Sequence, residues 1–335
     1  MHKKKSNYIL LLLSVVFLLS SCQRTMNSEE IYSKSSSGVV FILNFFYYSM
    51  TLPDGSVFYF TGFDDEGNIE GFTSEEDEVK ENCAGCTGTG FFISDNGTIM
   101  TNRHVAQPSI DEEIIKSFLK RFKQVIKDYW KEEMKKLEYA FYENAGNNTL
   151  QGEIAEQYKL ASDYLDHIDD MDMNDAEFNT HCNVGIAYND THVVKYEDFV
   201  PCSVLAVSED SDVDLALIQL DDETTPEGKY IFRLRESDEP LSLDEKLFMI
   251  GFNLGFDVAK TTQGIRAQIY SGNVSQKDDG TKILYSIPSQ HGSSGSPVVN
   301  ERGELVAVNF AGIDITQGFN YGIPTKKIRE FLQEN

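Results

Sequence analysis

The chain has 335 residues, 41% of them hydrophobic and 12% aromatic, which suits a globular protein with a substantial core. Its formal net charge is −25. A phosphate-binding face needs clustered Lys and Arg, so nucleic acid is not an expected partner.

The first 21 residues read as an export leader rather than as part of the fold. Lys3, Lys4 and Lys5 are followed by an apolar run over residues 9–19, too short to span a bilayer as a mature helix. The run ends in Leu19-Ser20-Ser21-Cys22, which resembles the lipobox of bacterial lipoproteins. The resemblance implies cleavage before Cys22, lipidation of Cys22, and a membrane-anchored protein outside the cytoplasm. Each buried acyl methylene contributes about 0.8 kcal/mol to such an anchor. Residues 22–37 are polar and Ser-rich, and read as a tether.

Residues 38–50 form an apolar and aromatic run that predicts strand. Pro53-Asp54-Gly55 predicts a turn, residues 56–63 a returning strand, and residues 64–82 an acidic loop. Residues 88–94 and 98–105 are β-prone and joined through Asn96-Gly97, which predicts a hairpin ending at His104. Ser109-Ile110-Asp111-Glu112 then has a capping-box pattern, and apolar residues follow at helical spacing. Two helices, to about residue 142 and over 150–167, make residues 109–178 a helical insertion. Strands resume over 182–188, 192–196 and 200–207, then 212–220, which is acidic before it turns apolar, and 246–252, 261–271, 283–287 and 304–310. Short strands at this spacing point to a sandwich or barrel.

Four cysteines besides Cys22 suggest disulfides in an exported chain. Cys182 and Cys202 flank the hairpin predicted over 182–196 and are the expected pair. Cys83-x-x-Cys86 fits a local bridge, a redox pair or half of a metal site. No second CxxC completes a zinc site, and neither metal nor cofactor is expected.

Gln290-His291-Gly292-Ser293-Ser294-Gly295-Ser296-Pro297 can serve as a nucleophile loop. Glycines around Ser294 leave room for a substrate carbonyl and allow backbone angles that a side chain forbids. The amides of Gly292, Ser293 and Ser294 can then converge on an oxyanion. A nucleophilic serine needs a base and an acid that orients the base. His104 follows the hairpin, and Asp214 opens Leu215-Ala216-Leu217; Asp212 is the rival acid.

The segment Thr87-Gly88-Thr89-Gly90-Phe91-Phe92-Ile93-Ser94 through His104-Val105 resembles the histidine segment of trypsin-like serine proteases of the bacterial HtrA/Deg type. Asp214-Leu215-Ala216-Leu217 resembles their aspartate segment. Gly292-Ser293-Ser294-Gly295-Ser296-Pro297 resembles their serine segment, in a form shared with glutamyl-endopeptidase-like members. The resemblance covers residues 38–108 and 180–335. It implies a mainly β fold of two six-stranded barrels, interrupted in the first by the helical insertion. It also implies a triad of His104, Asp214 and Ser294 that hydrolyses peptides or proteins.

Departures from the family pattern carry information. Ser293 stands where digestive members have an Asp that pairs with a freed N-terminus, so that activation route is not expected. Pro288 stands where trypsin has the Asp that selects basic residues. His291 lines the cleft or is incidental to it, and Phe310-Ala311 is expected to pair with substrate backbone. No PDZ domain is expected after the barrels. The insertion is a lid, a regulator or a decoration. A catalytically silent peptide-binding relative and a redox protein using Cys83 and Cys86 are the competing functions.

Overall fold

The computed structural model describes residues 24–110, 112–237, 239–277, 280–310 and 320–335. Two expected site residues, Cys22 and Ala311, lie outside the described residues. The chain divides into two compact units.

The first unit comprises Met1–Asn44, Cys86–Gln107 and Asn183–Asn335. The segment expected to be a tether is instead partly helix, α1 (Ser28–Ser35). Asn27 and Glu30 cap each other reciprocally at its start, and Ile31 is buried in the core. The apolar run then forms β1 (Val39–Thr51), which pairs with β2 (Val57–Phe60). The histidine hairpin is β3 (Ala84–Phe92) and β4 (Thr98–Thr101), with Phe91 opposite Met100. Further strands are β5 (Glu177–Tyr188), β6 (Val200–Val207) and β7 (Ala216–Leu220). Their order is β2-β1-β3-β4-β7-β6-β5, and β1 also pairs with β5, which closes six of them into a barrel.

The second barrel is a curled sheet of β8 (Lys246–Gly251), β9 (Gln268–Asn273), β10 (Ile283–Tyr285), β11 (Pro297–Asn300), β12 (Leu305–Phe310) and β13 (Asn320–Pro324). Its order is β9-β8-β11-β12-β13-β10. Successive side chains of a strand point to opposite faces, and β8 shows what this achieves. Phe248 and Ile250 enter a core shared with Phe41, Phe91 and Leu215 of the first barrel. Leu247 and Met249 point the other way, into a core of the second sheet's own residues. A strand with two buried faces reads as the continuous run Leu-Phe-Met-Ile.

The second unit joins Phe45–Gly85 to Pro108–Cys182. A short helix, α2 (Glu76–Glu81), occupies part of the expected acidic loop. The four-residue α3 (Arg103–Ala106), which belongs to the first unit, precedes the long pair α4 (Glu112–Glu143) and α5 (Asn148–Asp170). Asn147 caps α5 by accepting from the Leu150 amide. Phe118 and Leu119 of α4 enter a cluster with Tyr48, Met50 and Phe60. The helical stripe is thus a packing face toward strands and not only toward α5.

Two expectations on β5 are corrected. Residues 192–196 do not form its partner strand; β6 does, with Val184 opposite Cys202. Asp190 adopts a left-handed conformation, and Thr191 bonds to Ile265, which draws the chain away from a hairpin. The expected bridge between Cys182 and Cys202 is not formed, and Cys202 is a thiol. Burial raises the Cys202 thiol to about 12.

Phe41 meets Phe252 edge-on at 5.4 Å between ring centres and Phe256 at 6.0 Å. Its ring therefore ties β1 to the segment after β8. Phe41→Ala is expected to lower the unfolding free energy by about 3–5 kcal/mol, read from urea midpoints at unchanged slope.

Candidate active site

His104 sits on α3, where β4 ends and the chain turns into helix. Arg103 anchors that turn by donating from Nη1 to the Ser208 carbonyl at 2.9 Å. Asn102 is fully buried, and its Nδ2 donates to the Asp214 carbonyl at 2.6 Å. Both bonds tie the histidine corner to the stretch that carries the acid.

Asp214 holds His104 at two points. Its Oδ1 accepts the His104 backbone N–H at 3.0 Å, and its Oδ2 lies 2.5 Å from Nδ1 of the ring. An ionised carboxylate only accepts, so Nδ1 carries the proton and Nε2 is left as the basic nitrogen. Burial pushes the Asp214 carboxyl up. The His104 ring, its charge, its backbone N–H and Arg103 together pull it below the ordinary Asp value. Asp212, the rival acid, is exposed, and its amide bonds to Asp210 Oδ1 at 3.0 Å.

Ser294 is almost fully buried at the start of the chain into β11. The turn before it runs from Gln290 to Ser293, whose amide donates to the Gln290 carbonyl at 3.0 Å. Gly292, third in that turn, has φ +88°, the left-handed region that a type II turn requires there. The His291 carbonyl accepts the Leu254 N–H at 2.7 Å. Carbonyl and N–H of a trans peptide point in opposite directions, so the Gly292 N–H faces the other way. A Cβ on Gly292 would lie 2.3 Å from the Phe252 carbonyl oxygen, so both space and angle demand glycine.

Ser293 was expected to help hold an oxyanion, and this is corrected: its amide closes the turn. Among the described residues, no backbone carbonyl takes the amides of Gly292 or Ser294. These two are the donors that remain for an oxyanion.

The serine turn lies against the histidine hairpin. A Cβ on Gly295 would stand 2.4 Å from Thr101 Oγ1 and 3.2 Å from the Asn102 amide. Gly295 is thus packed two residues before Arg103-His104. Thr89, between Gly88 and Gly90, donates its N–H to the Ser294 carbonyl at 2.8 Å and its hydroxyl to the Gly292 carbonyl at 2.8 Å.

The expected substrate contacts divide. Pro288 and His291 are exposed beside the turn. Phe310 is half-buried, pairs with Tyr321 across β12 and β13, and stacks on its ring at 5.9 Å. Sequence reading missed Thr89, Asn102, Tyr285 and Asn309. The usable signal for Asn309 was a lone amide in the apolar run Val306-Ala307-Val308-Asn309-Phe310. Among the described residues, no group of three or more His, Cys, Asp or Glu side chains is placed to hold a metal ion.

Residues 176–308 match the family model of the trypsin-like peptidase domain. The match includes Asp214 and Ser294 and lies beyond His104 in sequence. The chain is 27% identical over 160 residues to the human serine protease HTRA4, across 45% of this chain and 32% of that protein. It is 30% identical over 129 residues to the mouse serine protease HTRA4, across 37% of this chain and 25% of that protein. The chain therefore spans about a third or less of these curated relatives. The mainly β architecture, a closed barrel and a second curled one with helices inserted, is that of the chymotrypsin-like double barrel.

The lowered Asp214 value makes a pH prediction. A carboxyl with a depressed folded pKa stabilises above its unfolded value, about 3.9, and loses that contribution as pH falls through the folded value. The difference in unfolding free energy between wild type and Asp214→Asn should hold from pH 7 to pH 5 and shrink below about pH 4. Urea titrations across that range check it.

Proposed function

We propose that the chain is a serine endopeptidase that cleaves peptide bonds through an acyl-enzyme. The observation that carries this reading is the two-point hold of Asp214 on His104, which frees Nε2 as a base. The left-handed turn at Gly292 beside Ser294 supports it.

In this mechanism the Ser294 hydroxyl attacks the scissile carbonyl while His104 Nε2 takes its proton. Asp214 keeps the proton on Nδ1 and stabilises the imidazolium that forms. The amides of Gly292 and Ser294 receive the negative charge on the substrate oxygen. His104 then gives its proton to the leaving amine. A water molecule, deprotonated by the same nitrogen, releases the acid product and restores Ser294. No metal or cofactor enters these steps.

The substrates are peptides or proteins, and the protein is exported and lipid-anchored through Cys22. The basic residues, apolar run and Cys22 of the leader support that location. Among the described residues, no helix is long and apolar enough to cross a membrane.

A fluorophosphonate probe tests the reading, because it labels only an activated serine. Labelling is expected in the wild type and absent in Ser294→Ala and His104→Ala. Asp214→Asn should lose about 10⁴-fold in kcat on casein, through the wrong tautomer of His104. A folded wild type that neither labels nor cleaves would make the chain a silent protease-fold binding module.

A further inference from the structure

The turn that aims the Gly292 amide is braced from inside by a chain of neutral groups. Tyr285, Asn309 and Ser293 are fully buried, and Ser289 is half-buried. The Tyr285 hydroxyl lies 2.7 Å from Asn309 Oδ1 and 3.0 Å from the Tyr321 carbonyl. With the hydroxyl donating to Oδ1, the Asn309 carboxamide has one orientation, with Nδ2 toward the serine turn. That nitrogen donates to the Ser293 carbonyl at 3.0 Å and to Ser289 Oγ at 3.0 Å. Ser289 Oγ lies 2.7 Å from Ser293 Oγ, which in turn donates to the Gln290 carbonyl at 2.6 Å.

The protons run one way, from Tyr285 to Asn309, then to Ser289, Ser293 and Gln290. The backbone repeats the hold: the Gly295 amide donates to the Asn309 carbonyl, and the Asn309 amide to the Ser296 carbonyl, both at 2.9 Å.

We propose that Asn309 is the positioning residue of the oxyanion turn, and that it keeps the turn in its catalytic conformation without a charged partner. The proposal rests on the peptidase reading. Asn309 touches neither substrate nor reacting atoms, and it acts through Ser293 and Gln290.

The position needs two donors and one acceptor at fixed places. Asp supplies no donor when ionised, and Leu supplies neither. Without the brace the Ser293 carbonyl is a buried acceptor lacking its side-chain donor. The turn can then relax by rotating the peptide before Gly292, which moves the oxyanion donor away.

The test uses p-nitrophenyl acetate as a generic acylating ester. The burst, followed in the full chain across pH, gives an acylation rate k2 and a binding constant Ks. Asn309→Asp should lower k2 by about 10²-fold at pH 8, the usual cost of one lost oxyanion donor, with Ks within about threefold of wild type. Burial raises the pKa of the new carboxyl. Once protonated it donates again, so the wild-type to variant ratio of k2 should shrink as pH falls. Tyr285→Phe should lower k2 by about tenfold, because the Asn309 amide loses its orienting donor.

Equal k2 in Asn309→Asp, or a ratio flat with pH beside a lowered melting temperature, would mean a merely structural residue. If Asn309→Asp does not fold, Tyr285→Phe decides, and an unchanged k2 there overturns the proposal. A wild type with no burst and no fluorophosphonate labelling sinks the peptidase reading itself. A normal wild-type burst with unaffected variants sinks only the role of Asn309.

Discussion

The site depends on the hydrogen bonds of one buried threonine. Thr89 lies in β3 of the first barrel, yet most of its polar atoms serve the second. Its amide meets the Ser294 carbonyl, its hydroxyl donates to the Gly292 carbonyl, and the same hydroxyl accepts the Phe252 amide at 3.1 Å. Its own carbonyl accepts from Thr101 Oγ1 at 2.8 Å. The side chain is therefore used once as donor and once as acceptor. Every partner is a backbone group or a buried hydroxyl, so removing the threonine oxygen would leave two backbone groups unsatisfied. That cost exceeds the net worth of either bond, because an orphaned buried group loses its full solvation. Valine has the same shape and could not replace it.

The glycines of the serine segment follow from this closeness. Thr89 and Thr101 press on one side of the loop, and Phe252 and Gly255 on the other. A Cβ on Gly295 would sit 2.1 Å from the Thr89 carbonyl oxygen. Both Gly292 and Gly295 also have left-handed backbones. The loop is small-residue because it is clamped between the β3–β4 hairpin and the segment after β8. Room for substrate is only part of the reason.

This explains what was legible in the sequence. The Asn96-Gly97 hairpin, the residue span of β6 and the two long helices could be read, because periodicity and turn chemistry are local. So could the segments that carry His104, Asp214 and Ser294, because their neighbours are constrained as just described. Tertiary pairing overrode local pattern elsewhere. Residues 192–196 have strand propensity, but Thr191 is engaged by Ile265 from a distant loop. Cys202 met Val184 because register follows the burial of Val184 and Ile186, not cysteine spacing. The Asn27 to Glu30 capping box of α1 was there to be read; the polar composition around it hid it.

The polar core of the second barrel shows why neutral groups suit this position. A carboxylate beneath the serine turn must be desolvated, and it stabilises the turn only while a cation stays beside it. Amides and hydroxyls impose no such condition. Burial pushes the Tyr285 hydroxyl well above its ordinary value, so no member of the chain from Tyr285 to Gln290 changes charge where proteins work. The geometry of the turn is then independent of pH and of any freed amine. The ionised carboxylate of the site is instead Asp214, held against His104. A neutral brace and a separate Asp214–His104 contact thus share the site, and under the proposed mechanism the brace keeps the turn rigid before substrate arrives.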